Sequence, residues 1–288
     1  MNSFGEAVAT TVNEEARPCP APLARLGAPR KFSALRGQAI VRAAPRPTSP
    51  DDVLKSFNSW AFKREQPDDL DLLRRRVGAA AACGEPIPFV LYWGRGPRSA
   101  LAEPEIQCFE YLAAMAKRIE SVYPPGAGFA LVCTDSHAEL NGYDAASTDS
   151  YFEAVSAEAE ARGFATRRLS ELVKSARDHL DLAQADATPP THVLDALIAS
   201  AEKHYRGGGT AEHGAVRYFR SNMIEKQAVE RAFPEAIFIT FNGSDMRPLL
   251  PDGMPIFFMY SLRRGIGVKP WFMSAGRSDD APGAPAFA

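Results

Sequence analysis

Two short apolar runs, separated by one long helical stretch, set the fold of this chain. Residues 87–92 read IPFVLY and residues 129–133 read FALVC. Neither alternates polar with apolar residues, so each reads as a strand buried on both faces. Between them, residues 103–123 place Ile106, Phe109, Leu112, Met115 and Ile119 at helical spacing. Pro124, Pro125 and Gly126 end that helix. A further helix is expected over 148–162, stopped by Gly163, then a strand over 164–169, with Ser170 capping the helix that follows. Strand, helix, strand, helix, strand at this spacing demands crossover connections and parallel pairing. The expected fold is therefore α/β: a Rossmann-like, mainly parallel sheet flanked by helices.

The flanking segments follow from local signals. Ser49 is a helix cap, with Pro50 at the first helical position and Asp51 and Asp52 in the first turn. Val53, Leu54 and Phe57 then share a face. A second helix covers about 68–82 and stops at Gly84. Helix dominates 191–232, broken by Gly207, Gly208 and Gly209. Residues 236–241 and 255–260 read as strands with the turn Pro251-Asp252-Gly253 between them, which predicts a C-terminal antiparallel strand pair. Residues 1–50 are rich in Ala, Pro and Arg and keep no apolar period, so an extended or disordered arm is expected there. The catalytic domain is expected over 51–275, with a flexible tail over 276–288 of similar character to the arm.

Charge excludes one class of function. The 33 basic and 35 acidic residues give a net charge of −2, without the basic surplus that phosphate backbones require, so no nucleic-acid partner is expected. No run approaches the roughly 18 apolar residues of a membrane span, and no secretory leader is visible. A cytoplasmic location without membrane contact is the expectation. Cys19, Cys83, Cys108 and Cys133 show no zinc-finger spacing and read as buried free thiols, with Cys133 kept in view beside a candidate site.

Ligands of open α/β sheets bind beyond the carboxyl ends of the strands. That rule selects two loops. After the first strand stand Trp93, Gly94, Arg95, Gly96, Pro97 and Arg98. The glycines permit close backbone approach, and Arg95 and Arg98 can hold phosphate or carboxylate; a turn with solvated arginines is the other reading. After the second strand, residues 134–143 bring together Asp135, His137, Glu139, Asn141 and Tyr143. His137 suits a general base and Asp135 its orienting acid, while simple capping of the next helix is the alternative. The His137-x-Glu139 spacing also matches part of an iron-binding triad, but no metal is expected. Arg217 and Arg220, three apart on a helix, share one face, which is either a binding face or a solvated one. Near the end, Lys269 can pair an acidic group and Trp271 can wall a pocket.

The order of these features resembles the pyoverdine/dityrosine biosynthesis family, which includes bacterial isocyanide (isonitrile) synthases. The resemblance rests on IPFVLYWGRGPR, IESVYPPGAGFALVCTD, RGFATRRLSELV, RAFPEAIFITF and VKPWF, and spans about 52–272. It implies specialised (natural-product) metabolism in which an amino acid amine becomes an isonitrile, the added carbon coming from ribulose 5-phosphate. No further cofactor is implied. Asp135, His137 and Lys269 are then the catalytic candidates. Trp93, Arg95, Arg98, Glu139, Asn141, Tyr143, Arg217, Arg220, Asn242 and Trp271 are the substrate-binding ones. The partners expected are an amino acid as small-molecule substrate and an anionic cosubstrate, with a homodimer allowed for. The chain departs from the family where His137 follows Thr134-Asp135-Ser136, where Asn242 replaces a histidine, and where Arg95 to Arg98 replace a lysine-serine-proline-asparagine type of loop. Three altered loops on a retained scaffold argue for a changed substrate or reaction. A different transferase or lyase on this scaffold, using S-adenosylmethionine or another nucleotide-like cosubstrate, is the alternative. A non-catalytic partner protein would instead show an exposed apolar patch. The isonitrile reading expects Arg95, Arg98, Asp135 and His137 to line one pocket.

Overall fold

Strands β1 (Ile87–Trp93) and β2 (Ala127–Cys133) pair in parallel over their whole length, from Ile87 opposite Ala127 to Trp93 opposite Cys133. They are the two apolar runs, extended by one and two residues. The computed structural model describes residues 49–94 and 100–259. The expected arm, except Ser49 and Pro50, and the tail lie outside the described residues, as do Arg95, Arg98, Lys269 and Trp271.

Strands β3 (Ala165–Arg168), β4 (Ile237–Thr240) and β5 (Ile256–Phe258) complete a five-stranded sheet in the order β3-β2-β1-β4-β5. Every pair in it is parallel. The chain runs outward from β1 to β3, then returns to β1's other side at β4. The carboxyl ends of β1 and β4 therefore flank the point where the strand order reverses.

Alternate strand residues feed opposite layers. Phe89, Leu91, Trp93, Phe129, Leu131, Ile237, Ile239 and Phe257 pack in the core that also holds Val53 and Phe57 of α1 (Pro50–Phe57), Leu73 and Val77 of α2 (Leu70–Cys83), Phe109 and Met115 of α3 (Glu103–Glu120), and Tyr151 and Phe152 of α5 (Ala145–Ala161). On the other face, Val90, Val132, Phe238, Ile256 and Phe258 meet Leu169 of α6 (Leu169–Ala176) and Val229 of α8 (Ala211–Ala232). Helix α7 (Thr191–His204) joins α8 through Val193, Phe219 and Met223. The expected helix signals hold at Ser49, which accepts the amide of Asp52, and at Gly84, which closes α2 at φ 67°; α2 starts at Leu70, where Asp69 caps it by accepting the amide of Leu72.

The C-terminal pair corrects the expectation. β4 and β5 are parallel, with Phe238 opposite Ile256 and Thr240 opposite Phe258. Residues 241–255 form the crossover, passing through a 3-10 turn at Ser244–Leu249. Pro251-Asp252-Gly253 marks only its end, and a hairpin would have needed about two to five connecting residues. All residues of both strands are buried, as parallel pairing requires. Polar ties fix this crossover: Lys226 binds Asp252 and the carbonyl of Pro248, and Arg247 binds Asp68. Two smaller corrections concern the expected loop at 134–143 and the cap at Ser170. The first holds a short helix, α4 (Asp135–Leu140). Ser170 lies inside α6, whose cap position is Arg168.

Burial pushes the phenols of Tyr92, Tyr111, Tyr151 and Tyr218 above their ordinary ionisation range. Unfolding exposes them, so above about pH 10 the unfolded chain loses protons that the folded chain keeps. Stability should stay level through neutral pH on this account and fall steeply above about pH 10. Guanidinium midpoints measured from pH 8 to 11 check it; a midpoint that does not fall would contradict it.

Candidate active site

A cleft opens at the reversal point between the carboxyl ends of β1 and β4. Tyr92 and Gly94 come from β1 and the residue after it, Thr240 and Asn242 from the end of β4, and His137 from α4. Helices α7 and α8 and the crossover close its sides through Ser200, His204, Tyr218, Met246 and Leu249. Its volume is about 140 Å³. At roughly 10–15 Å³ per water, that is room for a ligand of amino-acid size.

His137 is buried, and its Nε2 lies 2.5 Å from Oε2 of Glu225. Ser136 Oγ donates to the other carboxylate oxygen at 2.6 Å. A carboxylate only accepts, so this contact assigns the proton to Nε2 and leaves Nδ1 as the basic nitrogen. Glu225 is buried too, two turns along α8 from Tyr218. The Tyr218 ring packs 4.7 Å from the imidazole, centroid to centroid, and the Tyr92 ring 6.2 Å from it. Desolvation first, then the negative charge of Glu225, keeps both phenols protonated. The arrangement is a carboxylate-oriented imidazole packed by the rings of two protonated tyrosines, fit for proton transfer to and from a small ligand.

Asn141, Tyr143 and Asn242 line this cleft together with His137, as residue types expected at the site. Gly142, at φ 82°, lets the segment that carries them pass the backbone of Arg206, where a Cβ would lie 2.9 Å from its carbonyl carbon. The other described candidates go elsewhere. Trp93 is wholly buried in the core, its ring 4.4 Å from Phe109 and its Nε1 donating to Tyr151 Oη. Glu139, Arg217 and Arg220 are exposed and outside the cleft. Among the described residues, no group of three His, Cys, Asp or Glu side chains is placed to hold a metal. Cys108 and Cys133 are free buried thiols, whereas Cys83 is disulfide-bonded, against expectation. Burial pushes the Cys133 thiol up to about 12, which leaves it protonated and unreactive.

Asp135 is not the orienting acid. Its carboxylate accepts from the backbone N–H and the hydroxyl of Ser170, so it caps the first turn of α6 and lies outside the cleft. The expectation that Asp135 and His137 share a pocket therefore fails for Asp135. Asp135→Ala should cost about 0.5–2 kcal/mol of stability, the usual cost of losing a cap, and change activity only a few-fold. Denaturation and initial rates check this; a large loss of rate in a stable variant would return Asp135 to the chemistry.

Sequence reasoning missed Glu225, Tyr218 and Tyr92. The polar stripe Tyr218, Asn222 and Glu225 was a usable signal, since those spacings fall on one helix face. Arg217 and Arg220 of the same helix drew attention to the opposite, solvated face.

No protein-family model matches the chain, and no curated protein sequence matches it. Among solved structures, PvcA from Pseudomonas aeruginosa is similar with a TM-score of 0.56 and 19% identity, over 74% of this chain and 83% of that one. Tyrosyl-tRNA synthetase from Archaeoglobus fulgidus, solved with L-tyrosine, aligns with a TM-score of 0.45 and 12% identity, over 73% of this chain and 63% of that one. The likeness to PvcA is one of fold. No described helix is long and apolar enough to cross a membrane.

Proposed function

We propose that this chain is an isonitrile-synthase-like enzyme that condenses the amine of an amino acid with the ketone of ribulose 5-phosphate. The observation that carries the reading is the Glu225–His137 pair in a ligand-sized cleft at the strand-order reversal. The ammonium form gives one proton to solvent; attack by the free amine then needs a base to take the proton that nitrogen sheds and an acid to give it to the carbonyl oxygen. His137 serves as both, and Glu225 stabilises the imidazolium formed in between. Asn141, Tyr143 and Asn242 hydrogen-bond the polar atoms of the bound pair. Among the described residues lining the cleft there is no lysine or arginine. The anionic groups are therefore left to Arg95 and Arg98, which follow Gly94 in the sequence, and to Lys269, all outside the described residues. The resemblance of IPFVLYWGRGPR and the YPPGAG–strand–Asp run to the isonitrile-synthase family, together with the α/β fold, supports the same reading.

The test is a purified-enzyme reaction with ribulose 5-phosphate and pooled amino acids, quenched with a tetrazine that captures isonitriles and read by mass spectrometry. An adduct that requires both enzyme and sugar phosphate is expected, and its mass names the amine. No adduct from folded, monodisperse protein would overturn the reading. Calorimetric binding of S-adenosylmethionine would then move the assignment to a nucleotide-dependent transferase.

A further inference from the structure

Tyr92 is the next-to-last residue of β1 and lines the cleft. Its ring is packed by Phe238 at 5.1 Å and by the imidazole of His137 at 6.2 Å. Its hydroxyl is buried and has no hydrogen-bond partner among the described residues. A phenylalanine would keep the ring contacts without burying an unsatisfied polar atom, so packing does not explain the hydroxyl. A bound ligand would satisfy it.

The surroundings say which ligand atom. Glu225, Tyr218 and Glu230 are the titratable neighbours whose charge acts on this phenol, and burial acts more strongly still. All of these hold it neutral, so it stays a donor and needs an acceptor. Glu225 and Glu230 disfavour a full negative charge beside it, and no described cation lines the cleft to offset one. An uncharged carbonyl oxygen fits these conditions, and a carboxylate or phosphate does not.

We propose that the Tyr92 hydroxyl donates a hydrogen bond to the carbonyl oxygen of a ketone or aldehyde bound in the cleft beside His137. In the function proposed above, on which this assignment rests for the ligand's identity, that group is the ketone of the sugar phosphate. When the amine attacks, the new N–C bond forms and the C=O π pair moves onto oxygen. Tyr92 donates to that oxygen while His137 protonates it, so no full negative charge builds up beside Glu225 and Glu230. His137 takes the proton that nitrogen gives up and returns it to the oxygen, leaving a neutral carbinolamine. No oxidant or reductant is consumed.

The experiment compares the full chain with Tyr92→Phe, titrating each by calorimetry with ribulose 5-phosphate and with ribitol 5-phosphate, its alcohol counterpart. Tyr92→Phe should weaken ribulose 5-phosphate binding about tenfold, as loss of one buried hydrogen bond does. Ribitol 5-phosphate binding should not change, and the melting temperature should not fall. Equal weakening for both ligands, or no change for either, overturns the assignment. If the unaltered protein does not bind ribulose 5-phosphate, the function proposed above fails on its own. The donor is then read directly by NMR of [¹³Cζ]tyrosine-labelled protein with cyclohexanone and pyruvamide as carbonyl probes. A resonance that moves with a probe and is missing in Tyr92→Phe upholds the donor, and no movement with either probe overturns it.

Discussion

Glu225→Gln should lower kcat by about 100-fold or more, within the usual range for losing a proton-transfer group, and leave the protein folded. Glutamine has the same shape and can still accept from Ser136 Oγ. It cannot offer two anionic acceptors, so it no longer fixes the Nε2–H tautomer or stabilises an imidazolium. His137→Ala is a poorer probe, because among the described residues it leaves the buried carboxylate only Ser136 as a hydrogen-bond partner, and unfolding would blur the result. Rates and thermal melts on the same Glu225→Gln preparation check the prediction. A stable variant with nearly unaltered turnover would remove Glu225 from the chemistry.

Trp93→Ala should destabilise the protein by about 3–5 kcal/mol, the range for deleting a large buried aromatic side chain. For a domain of this size that is a drop of roughly 6–20 °C in melting temperature. The side chain has no exposed surface, packs at a tilt against Phe109, and donates to the phenol of Tyr151. Trp93→Phe should cost less and keep the KM of the protein. Calorimetric melts of both variants decide the matter. A weaker KM with unchanged stability would place Trp93 at the substrate after all.

How far the sequence carries can be seen at β1. IPFVLY identified the strand, and the crevice rule placed a site at its carboxyl end. Alternation along a strand sends neighbouring side chains to opposite faces, and Tyr92 and Trp93 are neighbours. Only the packing of both layers shows that Tyr92 faces α8 and the cleft while Trp93 faces α3 and the core. The same holds for α4. The clustering of acid, imidazole, amide and phenol in 134–143 was visible, and His137, Asn141 and Tyr143 do meet at the cleft. Which acid serves the imidazole was not visible, because Glu225 is 88 residues away and arrives by tertiary packing. Asp135, two residues away, turns to Ser170 at the start of α6. The β4–β5 error has a different origin. Pro251-Asp252-Gly253 is a strong turn signal, and local turn chemistry outweighed the length of 241–255. A connection that long, between strands buried on both sides, belongs to a parallel crossover.

In the function proposed for this chain, Glu225 and His137 join an amine to a sugar-phosphate carbon. Its most direct test is the tetrazine-trapping reaction run with uniformly ¹³C-labelled ribulose 5-phosphate and unlabelled amino acid. The account predicts a trapped adduct carrying a single labelled carbon, formed by the unaltered protein and nearly absent with Glu225→Gln. An adduct without the label, or one formed equally well by Glu225→Gln, would contradict it.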